Sequence, residues 1–344
     1  MLAARLFGSQ DLRIQTESEP QPAPGESLIK VTAVGLCGSD LLWLEEGEIG
    51  DAILEHPLVL GHEFGGVVVE NAPGKPGSRQ MPPGTRVAVD PAVPCQDCEF
   101  CLKGHPNLCE RLLFAGHGQF DGGLRQLVSW PDRCLYRVPD EINDEEAALL
   151  EPLGVAIHAV DLGKVRPGVD VGVFGCGPIG LLIVQAARAA GASRIFATDE
   201  HQHRLQLALE LGATRVFQVD GGEEAARVTA ANGQRGVEVA FEAAGENPAV
   251  EAAVESALPG GRVVLVGIPA DNKTTFNAAT ARRKGLSILL CRRMKHTYPR
   301  AMRLVTTGQV NLRALVSHRF PLEQSEEAFR VALQRSGNKV IVNP

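Results

Sequence analysis

Four cysteines, Cys95, Cys98, Cys101 and Cys109, are spaced Cys-x2-Cys-x2-Cys-x7-Cys in the stretch PCQDCEFCLKGHPNLC. Short gaps turn the chain tightly enough for successive sulfurs to meet one ion, whereas disulfides would each need a partner elsewhere. Four thiolates complete the tetrahedral set of a closed, structural zinc site with no position left for a substrate. An iron–sulfur cluster or a redox pair competes for the same spacing; structural zinc is the expected occupant. Any chemistry on a substrate must then come from other residues. Cys37 in VGLCGSD and His62 and Glu63 in LGHEFGGVV are metal-ligand types set among glycines, and Glu151 in LLEPLGV offers a further carboxylate. Singly each is weak, since a lone cysteine is more often a small buried apolar side chain.

A second kind of chemistry is written in VGVFGCGPIGLLIVQAARAAG. Gly175-x-Gly177-x-x-Gly180 directly follows an apolar strand pattern and directly precedes a helical one. Such glycines allow a tight turn and let a pyrophosphate approach bare backbone at a helix N-terminus. Pro178 and Ile179 lie inside this turn, Leu182, Ile183, Ala187 and Ala190 continue the helical face, and Gly191 is placed to stop the helix. The next strand ends at Asp199, whose carboxylate is expected to accept hydrogen bonds from the adenosine ribose hydroxyls. Asp199 and Glu200 would repel a 2′-phosphate, so NAD is the expected cofactor; Arg204, one helical turn on, argues the other way.

These residues need a scaffold. At 344 residues the chain exceeds the size at which single cores stop growing, about 250–300 residues, so two domains are expected. Its 44% hydrophobic and 22% charged content is that of an ordinary folded chain. The balance of 34 Lys+Arg against 41 Asp+Glu, without a basic run, speaks against nucleic acid and against an anionic membrane as partners. MLAARLFGSQDLRI reaches Asp11 and Arg13 before a signal-peptide core could form, and no stretch has the about 20 apolar residues of a membrane span. The expected address is the cytoplasm, where clustered thiols more often bind metal than pair.

Residues 1–153 read as short strands broken by Gly and Pro, a mainly β domain carrying the candidate metal residues. Helical spacing begins in EINDEEAALLEPLGVAIHAV. Within 154–292, strands expected at 169–174, 194–198, 216–218, 237–242, 262–266 and 287–291 alternate with helices, the pattern of a doubly wound parallel α/β sheet. Residues 293–344, ending in NKVIVNP, are expected to return to the first domain.

GHEFGGVV, the four-cysteine loop and GCGPIG, in that order, resemble the zinc-dependent medium-chain dehydrogenases along essentially the whole chain. The resemblance implies a GroES-like catalytic domain joined to a Rossmann domain, with one catalytic and one structural zinc per subunit. EPLGVAIHA is similar to the polyol branch, for sorbitol, xylitol or iditol. There the implied catalytic ligands are Cys37, His62 and Glu63, with Glu151 either joining them or holding a water beside them. The implied activity is reversible oxidation of a secondary alcohol to a ketone with NAD. Ser39 matches the hydroxyl that passes the alcohol's proton outward, although a Ser in such a loop also bonds its own backbone. Asp40 either steadies the second nitrogen of His62 or caps the helix expected from Leu41.

Arg293 in CRRMKHTYPRAM falls where the branch places a substrate-contacting arginine; a solvated arginine is the competing reading. Trp43 and Phe114 are the other substrate-wall candidates. Leu41, Leu42 and Trp43 replace a histidine and an aromatic usual in the branch, and Met294 a common tyrosine, so the wall is expected to be more apolar. His117 is left without a role. A small polyol or diol is the implied substrate, and a homodimer or homotetramer the implied assembly. L-threonine or 2,3-butanediol dehydrogenase is the runner-up within the enzymes, and a non-catalytic NAD-binding protein the runner-up outside them.

Overall fold

A computed structural model describes residues 1–74 and 80–344. It divides into two compact units, Met1–Glu151 with Leu315–Pro344, and Pro152–Ala314. The first unit takes up again at Leu315, later than the 293 expected from sequence. The intervening residues include the helix Tyr298–Thr306, whose ion pair from Arg300 reaches Asp161 at the end of the helix Asp144–Gly163.

The first unit is built on a seven-stranded sheet in the order Leu135–Arg137, Arg86–Val89, Glu63–Asn71, Glu26–Gly35, Lys339–Asn343 and Val316–Pro321, with Leu127–Pro131 also pairing to Glu26–Gly35. β-Branched residues give these strands their alternation. Val31, Val34, Val68, Val87, Val89 and Val342 are buried in one cluster with Phe64 and Trp43. Two pairings matter for chemistry. Gly35 lies opposite Glu63, and Ile341 lies opposite Gly35, so the strand ends carrying Cys37, Glu63 and Lys339 converge.

The second unit holds a six-stranded parallel sheet in the order Arg215–Gln218, Arg194–Asp199, Asp170–Phe174, Val237–Glu242, Ala257–Leu265, Ser287–Leu290. Every residue of Asp170–Phe174 is buried, as expected of a central strand covered on both faces. The chain runs outward from this strand on one side, then returns to build the other, which makes a switch point between Asp170–Phe174 and Val237–Glu242. Gly180 could not be replaced here: a Cβ on it would stand 1.9 Å from the carbonyl oxygen of Gly175. Its bareness lets the helix Pro178–Ala189 pack down on the turn.

Candidate active site

Three unlike donors meet in the first unit. The Cys37 thiol, a ring nitrogen of His62 and a carboxylate oxygen of Glu63 all lie within 4.8 Å of one another. Cys37 stands at the N-terminus of the helix Gly38–Glu46, just beyond Glu26–Gly35, while Glu63 opens the strand Glu63–Asn71. Gly61 turns the chain into His62 with φ 89, a conformation glycine adopts without strain, and a Cβ there would press on Val34 at 2.7 Å. Glu151 is buried but does not join the other three within that distance.

Asp40 carries out both jobs proposed for it, because the helix begins at Gly38 rather than near Leu41 and so places Asp40 in its first turn. Its Oδ2 accepts from the Cys37 N–H at 2.9 Å, its Oδ1 from the Gly61 N–H at 3.1 Å, and Oδ1 stands 3.4 Å from His62 Nδ1. Burial works against this carboxylate, yet His62 and the two amides hold it below the usual range. One side chain thus ties the Cys37 backbone to the His62 ring.

Lys339 was missed from sequence. It looks like any lysine before a strand, and only the pairing of Lys339–Asn343 with Glu26–Gly35 brings it inward. Lys339 is 2% exposed, and its Nζ donates at 2.8 Å to each oxygen of Glu63 and at 2.9 Å to the Leu36 carbonyl. A lysine so buried is tolerated because its charge is paired and all three donors are used. Burial pushes the Glu151 carboxyl up to about 8, opposed by His62 and reinforced by Glu63.

Beside these groups runs an aromatic series. Phe114 lies 5.3 Å from the His62 ring and 6.5 Å from His117, which meets Trp43 edge-on at 5.5 Å. Ser39 is half-buried in the first turn of the helix. Arg293 and Met294 lie in the second unit; Arg293 is half-buried with φ 55, and a Cβ on Gly154 would strike the Met294 sulfur at 2.4 Å.

The four-cysteine loop fits a tetrahedral ion. Cys95 and Cys101 sulfurs lie 3.9 Å apart, Cys98 and Cys109 3.9 Å, and Cys95 and Cys109 3.4 Å. Zinc–sulfur bonds of about 2.3 Å put tetrahedral sulfurs about 3.8 Å apart, whereas a disulfide needs about 2.05 Å. All eight cysteines are free of disulfides.

In the second unit the glycine turn fits a dinucleotide. A Cβ built on Gly177 would meet only Arg204 Nη1, at 4.0 Å, so the turn's outer side is open. Asp199 ends its strand as expected, but its neighbours share it. Oδ2 accepts from the Cys176 N–H at 2.8 Å, Oδ1 from the His201 N–H at 2.8 Å, and Arg204 Nη1 lies 3.9 Å from Oδ2. His201, also 3.1 Å away through Nδ1, carried no sequence signal.

Known proteins match this arrangement throughout. Residues 23–140 match the alcohol dehydrogenase GroES-like domain and residues 178–307 the zinc-binding dehydrogenase domain. A sorbitol dehydrogenase of Bacillus subtilis (strain 168) is 36% identical over 346 aligned residues, covering 100% of this chain and 97% of that protein. The chain is a zinc-dependent medium-chain dehydrogenase of the polyol branch. The crystal structure of 2R,3R-butanediol dehydrogenase from Bacillus subtilis superposes with a TM-score of 0.89 at 32% identity, covering 100% of this chain and 99% of that one. The structure of a zinc-binding dehydrogenase from Sinorhizobium meliloti 1021 bound to NADP superposes with a TM-score of 0.90 at 31% identity, covering 100% of this chain and 99% of that one. This dehydrogenase therefore acts on alcohols, with zinc and a nicotinamide cofactor.

Among the described residues no helix is long and apolar enough to cross a membrane.

Proposed function

We propose that this dehydrogenase oxidises a secondary alcohol of a small polyol to the ketone, reversibly, with NAD as hydride acceptor. The observation that carries the reading is the convergence of Cys37, His62 and Glu63 in a chain that also bears the glycine turn and Asp199. Three protein ligands leave a zinc ion one open position, where it lowers the pKa of an alcohol presented to it. Cys37, His62 and Glu63 hold the ion, Asp40 fixes the His62 ring, and Lys339 fixes the Glu63 carboxylate. Glu151, buried and within electrostatic reach of His62 and Glu63, would either join these ligands or hold a water beside them. Ser39 takes the proton outward. Trp43, Phe114 and Arg293 contact the substrate, and Gly175, Gly177, Pro178, Ile179, Gly180, Asp199 and Arg204 the cofactor.

The second zinc occupies Cys95, Cys98, Cys101 and Cys109 and is closed to substrate. Cys98→Ser is expected to lose one zinc equivalent per chain and to lower the melting temperature, while kcat per remaining zinc stays that of the parent. An equally stable variant carrying both zincs would refute the division. The cytoplasm suits a chain whose thiols must stay reduced. The open edge strand Ser287–Leu290, with Leu290 76% exposed, is the place for a second copy to pair.

A shorter diol is the second reading, favoured by Phe114 beside His62, by Trp43 beside His117, and by Leu41 and Leu42 in place of polar groups. NADH production is to be measured on xylitol, sorbitol, an inositol, 2,3-butanediol and L-threonine, with NADP in parallel. A polyol is expected to give the highest kcat/KM, and NAD to exceed NADP by about tenfold or more, a preference of about 1.4 kcal/mol. Preference for butanediol or threonine would overturn the substrate, and preference for NADP the role of Asp199.

A further inference from the structure

The strand Val237–Glu242 ends on a buried carboxylate, 1% exposed, that none of the chemistry above uses. Glu242 Oε1 accepts from the Ala244 N–H at 2.7 Å and from the Gly245 N–H at 2.6 Å, so the side chain folds forward over the turn that follows its own strand. Its carbonyl meanwhile accepts from the Val266 N–H at 2.8 Å and the Gly267 N–H at 3.2 Å. Glu242 therefore joins two successive loops at the carboxyl ends of the sheet.

Those loops press on the glycine turn. The Ala243 N–H donates to the Phe174 carbonyl at 2.8 Å, and a Cβ on Gly175 would stand 2.7 Å from the Ala244 nitrogen. Gly267 is equally confined: a Cβ there would meet the Gly245 nitrogen at 2.1 Å and Glu242 Oε2 at 2.8 Å. Everything held by Glu242 thus borders the switch point between Asp170–Phe174 and Val237–Glu242, the crevice where dinucleotides bind.

The two halves of the sheet treat an anion differently. On the first half the turn 175–180 leaves its outer side open for the pyrophosphate. On the second half the corresponding turn, 243–245, already has an anion from its own chain, because Glu242 takes the amides of Ala244 and Gly245. A phosphate approaching those amides would meet the carboxylate that occupies them. A nicotinamide riboside, which brings no phosphate of its own beyond the shared pyrophosphate, would not.

We infer that Glu242 is a positioning residue for the nicotinamide half of the cofactor: it holds the loop 243–245 in the form that receives the nicotinamide riboside and reserves that half of the crevice for a group without phosphate. The inference rests on the proposed use of a nicotinamide dinucleotide. ADP-ribose separates the two halves, because it keeps the adenosine and pyrophosphate and lacks the nicotinamide ring.

The test is calorimetric binding of NAD and of ADP-ribose to the zinc-loaded parent, Glu242→Ala and Glu242→Gln, with a melting curve for each. Glu242→Ala is expected to weaken NAD by about tenfold, the order of one or two lost charge-assisted hydrogen bonds, with ADP-ribose unchanged. Glu242→Gln keeps Oε1 as an acceptor and is expected to recover most of the NAD affinity. Equal weakening of both ligands, or of neither, would overturn the inference. If Glu242→Ala does not fold, Glu242→Leu, which fills similar space without an acceptor, takes its place: a loss of affinity confined to NAD supports the role, and parent-like binding or an equal loss for both ligands overturns it. A parent that binds no NAD would overturn the cofactor reading and the inference with it.

Discussion

Cys37→Ala is expected to cost one zinc equivalent and about three orders of magnitude in kcat/KM, with the fold retained. A metal acting as a Lewis acid stabilises charge developing on the reacting oxygen by several kcal/mol, and each 1.36 kcal/mol is about tenfold in rate. Nothing else among the neighbouring groups supplies such a charge, since Lys339 is committed to Glu63 and the Leu36 carbonyl. The fold should survive because Cys37 is only half-buried, and the Asp40 carboxylate that orders this corner accepts from the backbone N–H groups of Cys37 and Gly61. Zinc analysis, circular dichroism and steady-state kinetics on one preparation check all three parts. Activity within about tenfold of the parent, well short of the expected loss, would sink the zinc assignment. Loss of fold would show that Cys37 serves structure first.

The residues that sequence made legible are those whose chemistry depends on local spacing. Gly175, Gly177 and Gly180 sit in one turn, and the four cysteines in one loop, so their neighbours along the chain are their neighbours in space. The expected strands of the second unit were legible for a related reason: a parallel sheet buried on both faces leaves continuous apolar runs, and each run stands between helical stretches.

Residues whose role depends on long-range pairing were not legible from local pattern, and Cys37, His62 and Glu63 were read as one set only through the family resemblance. Lys339 lies 276 positions from Glu63, and no local pattern marks a lysine that will be 2% exposed. Glu242 resembles any acid at a strand end until the turn after it is seen to fold back on its carboxylate. Asp40 was legible as a residue with two candidate jobs but not as one that performs both, since that required the helix to begin at Gly38. The late return of the chain at Leu315 has the same origin. The pairing of Arg300 on the helix Tyr298–Thr306 with Asp161 belongs to tertiary structure.

Lys339→Met should therefore have the largest effect on stability of any single change at the site. Removing one member of a buried ion pair leaves the other charge desolvated and costs about 3–5 kcal/mol, more than most exposed pairs contribute. For a unit of this size that is a fall in melting temperature of about 10 °C. The measurement belongs on zinc-stripped protein, because a bound cation would itself compensate Glu63. Adding Glu63→Gln to Lys339→Met removes the stranded charge, so the double variant should recover part of the loss; coupling of this kind is what a mutant cycle reads. The argument fails if the single variant melts with the parent, or if the double variant is no more stable than the single. Zinc provides the complementary sign. A cation that binds the folded site and neutralises Glu63 should raise the melting temperature of Lys339→Met by more than that of the parent, since ligand linkage then also relieves the buried charge.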